Sequence, residues 1–327
     1  MYLKNHHKFV SRVIATVLLL FLIAWVLTSK DILVNQPQIF QVKSGSSMGE
    51  VAQELSDRQI IKSKKFFATV SRLLNANKNL KSGYYELKPD TSIFDFIGQI
   101  SSGEVLKTKV TLIEGKTIQY YFQQLNKDPS ITPNESFDNV MASIGIQEPY
   151  DGWFFPETYI FNYGESIENV LKKSHETMKL KLAELWKNRD TSIPLDSPYQ
   201  AIILASLIEN ETALDKEKPM ISSVFIGRLN SNMRLQTDPT VIYALGDQYS
   251  PPLTRSDLQF DHPYNTYRNK GLPPGAISSV GYQSLFAALH PAKGNDLYFV
   301  SKKDGSHAFA KTYDEHKENI KKYLKVN

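Results

Sequence analysis

The chain has 327 residues, 41% hydrophobic and 22% charged, a globular balance with material for about two domains at roughly 150 residues each. Its formal net charge of +4, from 38 Lys+Arg against 34 Asp+Glu, argues against a nucleic-acid binder and suits an anionic polymer or membrane surface. Cysteine is absent, which excludes thiolate metal sites, a cysteine nucleophile and a disulfide framework.

At the N-terminus, Lys4, Lys8 and Arg12 precede an apolar run from Val13 to Leu27, closed by Lys30 and Asp31. With its neighbours the run approaches the ~20 residues that span a bilayer, and Trp25 stands where an interfacial anchor belongs. Basic residues before the run predict a cytoplasmic N-terminus over residues 1–12, with the rest of the chain outside. No small-x-small cleavage site follows Leu27, so residues 13–30 read as an uncleaved membrane anchor rather than a signal peptide. Ile32 to Pro37 reads as a short polar link.

The next segment, 38–105, reads as a small α+β module. Phe40-Gln41-Val42 alternates like a strand and turns at Gly45; Met48, Val51, Ala52 and Leu55 fall at helical spacing behind Ser46 or Ser47. Ser63 precedes a second helix expected to carry Phe66, Phe67, Val70 and Leu74 on one side. Gly83 to Leu87 returns as a strand, and Ser92 opens a helix with Ile93, Phe96, Ile97 and Ile100 that stops near Gly103. The order strand, helix, helix, strand over Phe40–Leu87 resembles a LysM-like fold, which implies contact with N-acetylglucosamine-containing glycans; a generic packing module has the same pattern. Residues 106–327 change character: after a strand within Val105–Ile113, long helical patterns such as Ile167–Trp186 alternate with Gly- and Pro-punctuated loops, giving a larger α+β domain.

The richest stretch runs from Ser197-Pro198 to Glu209-Asn210-Glu211-Thr212. Serine then proline is a strong helix start, and Ala201 to Ile208 is apolar or small on every face, as in a buried helix. Ala201, Ala205 and Glu209 share one face, where the alanines are expected to leave a groove ending at the glutamate. A carboxyl desolvated there has its pKa raised, as a general acid requires. The alternative is a capping or ion-paired glutamate. Glu211, about 200° further round the helix, is not expected to line the same site.

Two polar clusters follow. Asn232 to Thr240, with Gln236 and Asp238, reads as an extended or turn segment behind a helix over Ile221–Leu229. Tyr264-Asn265-Thr266 mixes an aromatic ring with amide and hydroxyl, a sugar-contacting combination, before the rigid Gly271-Leu272-Pro273-Pro274-Gly275 turn. The alternative for the first of these clusters is an Asx-turn network that only holds its loop.

Taken in order, Leu204 to Thr212, Val224-Phe225 with Arg228-Leu229, Met233 to Tyr243, Tyr264 to Tyr267 and Gly271 to Gly275 resemble the MltG (YceG-like) family of endolytic murein transglycosylases. Ile113-Glu114-Gly115, Gly152 to Tyr159, Tyr298-Phe299-Val300 and Gly305-Ser306-His307 extend the resemblance over nearly the whole chain. It implies that Glu209 is the catalytic residue, that Gln236, Asp238, Asn265 and Thr266 line the cleft beside Tyr264, and that peptidoglycan synthases are partners. Gly227, Asp151 and Val280 depart from the family's usual asparagine, glutamate and proline, which touches loop detail rather than Glu209.

The implied reaction cleaves the MurNAc–GlcNAc β-1,4 bond and leaves a 1,6-anhydromuramic end, with no cofactor and no metal. Rival readings are a hydrolytic muramidase using Glu209 with Asp238, and a non-catalytic membrane-tethered peptidoglycan scaffold. A metallopeptidase lacks support: there is no His-Glu-x-x-His, and His290, His307 and His316 have no paired helical spacing.

Overall fold

The structure is a computed structural model and describes residues 12–17 and 32–324. Most of the expected anchor therefore lies outside the described residues, and among those described no helix is long and apolar enough to cross a membrane. The chain is mixed α+β and divides into two compact units, one running to Thr108 and including Ile160–Gly164, the other comprising Lys109–Tyr159 and Glu165 onward.

In the first unit, strand β1 (Gln38–Val42) pairs antiparallel with β2 (Gly83–Leu87), Phe40 opposite Tyr85. Between them lie helices α1 (Met48–Asp57) and α2 (Lys64–Leu73), and α3 (Ile93–Ser102) follows. Each helix starts at a serine whose hydroxyl accepts a backbone N–H three residues on: Ser47, Ser63 and Ser92. At α1 and α3 the third helical residue, Glu50 or Asp95, bonds back to complete a capping box. The apolar faces meet around Phe96, whose ring lies within 5.8–6.4 Å of the rings of Phe40, Phe67 and Tyr85.

Two expectations fail here. Ile32 and Val34 are buried in this core, and Ile32 bridges to Ile61, so the segment taken for a polar link is part of the unit. Leu74 is half exposed, because α2 ends at Leu73 and Leu74, as its cap, leaves the helical face.

Strands β3 (Lys107–Thr111) and β5 (Thr158–Asn162) carry the chain between units. The second unit holds α4 (Ile118–Lys127), β4 (Ile131–Thr132), α5 (Phe137–Ile144), β6 (Glu165–Ser166) and the long α6 (Ile167–Lys187). After them come α7 (Pro198–Glu211), α8 (Lys218–Asn230), α9 (Asp238–Leu245), α10 (Tyr282–Leu289), β7 (Tyr298–Ser301), β8 (His307–Ala310) and α11 (Tyr313–Leu324). β4 pairs parallel with β6, and β7 antiparallel with β8.

α7 is the centre of this unit. Every residue from Ala201 to Ile208 is buried, and α8 and α10 pack against it. Ala201 and Ala205 sit wholly inside that core, so the expected alanine groove does not form. The segment expected to be extended through Thr240 instead enters α9 at Asp238. Pro239 fits there because the first helical turn needs no N–H from it.

Candidate active site

The site begins where α7 runs out of apolar sequence. Ser197 caps the helix, its hydroxyl accepting from Gln200 N at 3.3 Å, and the buried run Ala201 to Ile208 fixes where Glu209 emerges at the other end. That far end is tied to the 276–281 loop. Ile277 N donates to Ser206 Oγ at 3.1 Å, and Asn210 Nδ2 donates to Ser278 Oγ at 2.8 Å. The same loop binds residues 113–116: Gly115 N donates to Ser279 O at 3.1 Å and Ser279 N to Lys116 O at 2.8 Å. Tyr121 Oη spans both, meeting Ile113 O at 2.7 Å and Ser279 Oγ at 2.6 Å.

Four ionisable side chains converge at this seam. Glu209 Oε2 accepts from Gly281 N at 3.0 Å, and its Oε1 lies 3.4 Å from Lys218 Nζ. The two side chains are 8% and 4% exposed, so this is a buried ion pair. Lys218 Nζ also lies 3.0 Å from Asp215 Oδ1, which is largely exposed. Burial works against the Lys218 ammonium, but Asp215, Glu209 and Glu114 outweigh it and hold the lysine above its ordinary range. Glu114 is the fourth group. Burial first, then the charge of Glu209, push its carboxyl above the ordinary carboxylate range, Asp215 adding to this and Lys218 opposing it.

The ion-paired alternative for Glu209 is thus realised, but in an unusual setting. The expected apolar groove is replaced by two donors, an ammonium and a backbone N–H. Gly281 is the N-cap of α10, so the positive end of that helix also addresses the carboxylate. Beside the seam is a cavity of about 450 Å³ lined by Gly115, Thr117, Asn210, Pro239, Ile242, Tyr243, Gly246 and Ile277. A Cβ on Gly115 would sit 4.0 Å from Glu209 Cγ, and φ at Gly115 is +71°, so this edge demands glycine.

Glu211 leaves the other face of α7, as its spacing predicts. It accepts a hydrogen bond from Thr237 Oγ1 and lines a separate cavity of about 540 Å³ with Arg228, Gln236, Asp238, Tyr267 and Tyr298 among others. Burial, then the charge of Asp238, push its carboxyl up to about 7. Gln236 and Asp238 are exposed at this second cavity, where Asp238 accepts from Tyr267 Oη. Glu209 does not line it.

The remaining expected site residues are placed differently. Asn265 and Thr266 are fully buried. Asn265 Nδ2 donates to Leu258 O and Phe260 O, and its Oδ1 accepts from Tyr267 N. Thr266 Oγ1 accepts from Thr237 N, and Thr266 O accepts from Gln236 N. Thr266 thus holds the 236–238 segment and Asn265 holds its own 258–267 loop, and neither side chain faces solvent. Tyr264 packs its ring 4.9 Å from that of Tyr243 against the core, half-buried. His307 is a structural histidine of β8, bonded through Nδ1 to Glu217 Oε2 at 2.8 Å.

Lys218, Asp215 and Gly281 were not anticipated. The single sequence signal for Lys218 was a lysine directly before Pro219, at a helix start where cations are disfavoured by the helix dipole.

The model of the YceG-like family matches residues 40–322. A protein of Bacillus subtilis (strain 168) named endolytic murein transglycosylase is 32% identical over 314 residues, covering 86% of this chain and 84% of that protein. A protein of the same name from Streptococcus pneumoniae (strain D39) is 25% identical over 323 residues, and the match spans only 58% of its length. The crystal structure of a YceG-like protein from Listeria monocytogenes is 30% identical with a TM-score of 0.56, covering 87% of this chain and 99% of that one.

Proposed function

The chain belongs to the YceG-like family, and on that premise we propose that it is an endolytic lytic transglycosylase that cuts peptidoglycan glycan strands. The observation that carries this reading is the buried Glu209 carboxyl, held between Gly281 N–H and Lys218, with its neighbours Asn210 and Gly115 lining a 450 Å³ cavity, a volume within the usual range for ligand sites.

In this reading the protonated Glu209 gives its proton to the bridging oxygen of the MurNAc–GlcNAc β-1,4 bond. The C6 hydroxyl of the same muramic residue attacks the oxocarbenium-like carbon, and its proton passes to the Glu209 carboxylate. The tethered hydroxyl spares the entropy of bringing in a second reactant, and no water is consumed. Lys218 need not block this cycle, because Asp215 keeps its ammonium paired while Glu209 carries a proton. Gln236 and Asp238 offer sugar contacts along the second cavity, while Thr266 acts indirectly by holding the segment that presents them and Asn265 by bonding Tyr267 N, whose hydroxyl donates to Asp238.

The setting proposed is a single anchor over residues 13–30 in a bacterial inner membrane, with the catalytic domain outside and cleavage of nascent strands beside the synthases that make them. The strand–helix–helix–strand order of β1, α1, α2 and β2 supports a LysM-like glycan contact in the first unit.

The test is digestion of purified strands by the full chain in H₂¹⁸O, read by mass spectrometry. Anhydromuramic ends without ¹⁸O are expected, and Glu209→Gln abolishes them with the fold retained. Reducing ends carrying ¹⁸O would replace this reading with hydrolysis; uncut strands would replace it with the scaffold reading.

A further inference from the structure

We infer that Glu114 is a second carboxyl of the Glu209 site, a positioning residue whose charge is coupled to that of Glu209 across Gly281. The inference rests on the transglycosylase reading and extends it to a residue that reading leaves idle.

Gly281 is the pivot. Its N–H donates to Glu209 Oε2 at 3.0 Å, and a Cβ added to it would overlap the Glu114 carboxyl. The two carboxyls thus press on one residue from different sides, and the absence of a side chain there is what lets them approach. Glu114 is not free to drift away. The residues on both sides of it, Ile113 and Gly115, are bonded to Tyr121 and to the Ser279 backbone, so the 113–116 segment is clamped onto the loop that carries Gly281.

The charges around the pair leave it short of positive partners. Glu209 arrives from α7, Lys218 from the start of α8, Asp215 from the turn before it, and the Tyr121 hydroxyl from α4. Lys116, next to Glu114 in sequence, directs its amine over the ring of Tyr120 instead. One ammonium therefore faces three carboxyl groups, of which Asp215 is mostly in water. Lys218 and Gly281 N–H both donate to Glu209. Burial, then the Glu209 charge, push the Glu114 carboxyl above its ordinary range. Two carboxyls so placed titrate as a pair. When Glu209 spends a proton on the leaving oxygen, the pair regains one from the C6 hydroxyl, so the balance over a turnover is unchanged.

The test uses the full chain with two readouts: the pH dependence of strand cleavage, and side-chain ¹³C NMR of the Glu114 carboxyl. In Glu209→Gln, Glu114 is expected to titrate at lower pH than in the parent, because the opposing charge is gone. In Glu114→Gln the alkaline limb of kcat is expected to move to lower pH with KM little changed, since the site then releases its proton more easily. Glu114→Asp restores the limb. Gly281→Ala, at a φ of −74° that alanine accepts, displaces the Glu114 carboxyl and moves the limb as Glu114→Gln does. A Glu114 midpoint unmoved by Glu209→Gln, or a Glu114→Gln limb that coincides with the parent's, overturns the inference. Uncut strands at every pH would sink the transglycosylase reading alone, and the NMR titration would still decide the pairing.

Discussion

Glu209 and Glu211 stand two residues apart on α7, so their side chains leave the helix about 200° apart and enter different surroundings. Glu209 meets an ammonium and a backbone N–H; Glu211 meets a threonine hydroxyl within a cavity wall. For Glu211 the consequence can be measured as stability. Its folded carboxyl titrates at about 7 against an ordinary value of 4.5, so the folded chain holds this proton more tightly than the unfolded one. Stability contributed by the protonated group is then full below about pH 4.5 and is lost as pH rises through about 7. Glu211→Gln escapes that loss. Its stability relative to the parent is expected to rise across this window by on the order of 3 kcal/mol, read from denaturant melts at several pH values. A constant difference would mean that Glu211 is solvated. The divergence of the two glutamates was legible from spacing alone. Lys218 was not, because it reaches Glu209 only after the chain has left α7, turned and begun another helix, and no periodic pattern registers such a contact.

At the scale of elements, local chemistry was the readable part. Serine caps announced α1, α2, α3 and α7, and the capping box at Ser47 is worth about 1 kcal/mol by analogy with other caps. Ser47→Ala should lower the unfolding free energy of the first unit by about that much, whereas Ser47→Asp should nearly preserve it. α7 depends instead on burial. Leu204→Ala removes a fully buried side chain from the core and should cost about 3 kcal/mol in a chemical melt. A loss under 1 kcal/mol would mean that the surroundings collapse into the space. What sequence periodicity could not decide was which small residues face a groove. Ala201 and Ala205 read as a channel floor, but small side chains equally allow a neighbouring helix to come close, and here they are buried in the core against which α10 packs. Asn265 and Thr266 went astray for a related reason: amide and hydroxyl groups serve a backbone loop as readily as a sugar.

For the whole molecule, the telling feature is that the first unit is not continuous in sequence. It recovers Ile160–Gly164 after the chain has already begun the second unit. Within the first unit this return places Tyr163 with its ring 5.1 Å from that of Tyr84, and Tyr163 N donates to Leu106 O at 2.8 Å. Tyr163→Ala should therefore weaken hydrogen-exchange protection around β2 by about 1 kcal/mol, the usual value of an aromatic pair. Unchanged protection there would show that the return strand is ornamental. The interruption was invisible in the sequence, where residues 38–105 looked complete, because a five-residue segment too short to form its own core carries no signature of where it docks.

That interruption limits how such a protein can be rearranged. A recombination event that transplanted only the N-terminal stretch would leave behind the return strand that seals its flank. An ancestor could trade this module only by moving the intervening helices with it.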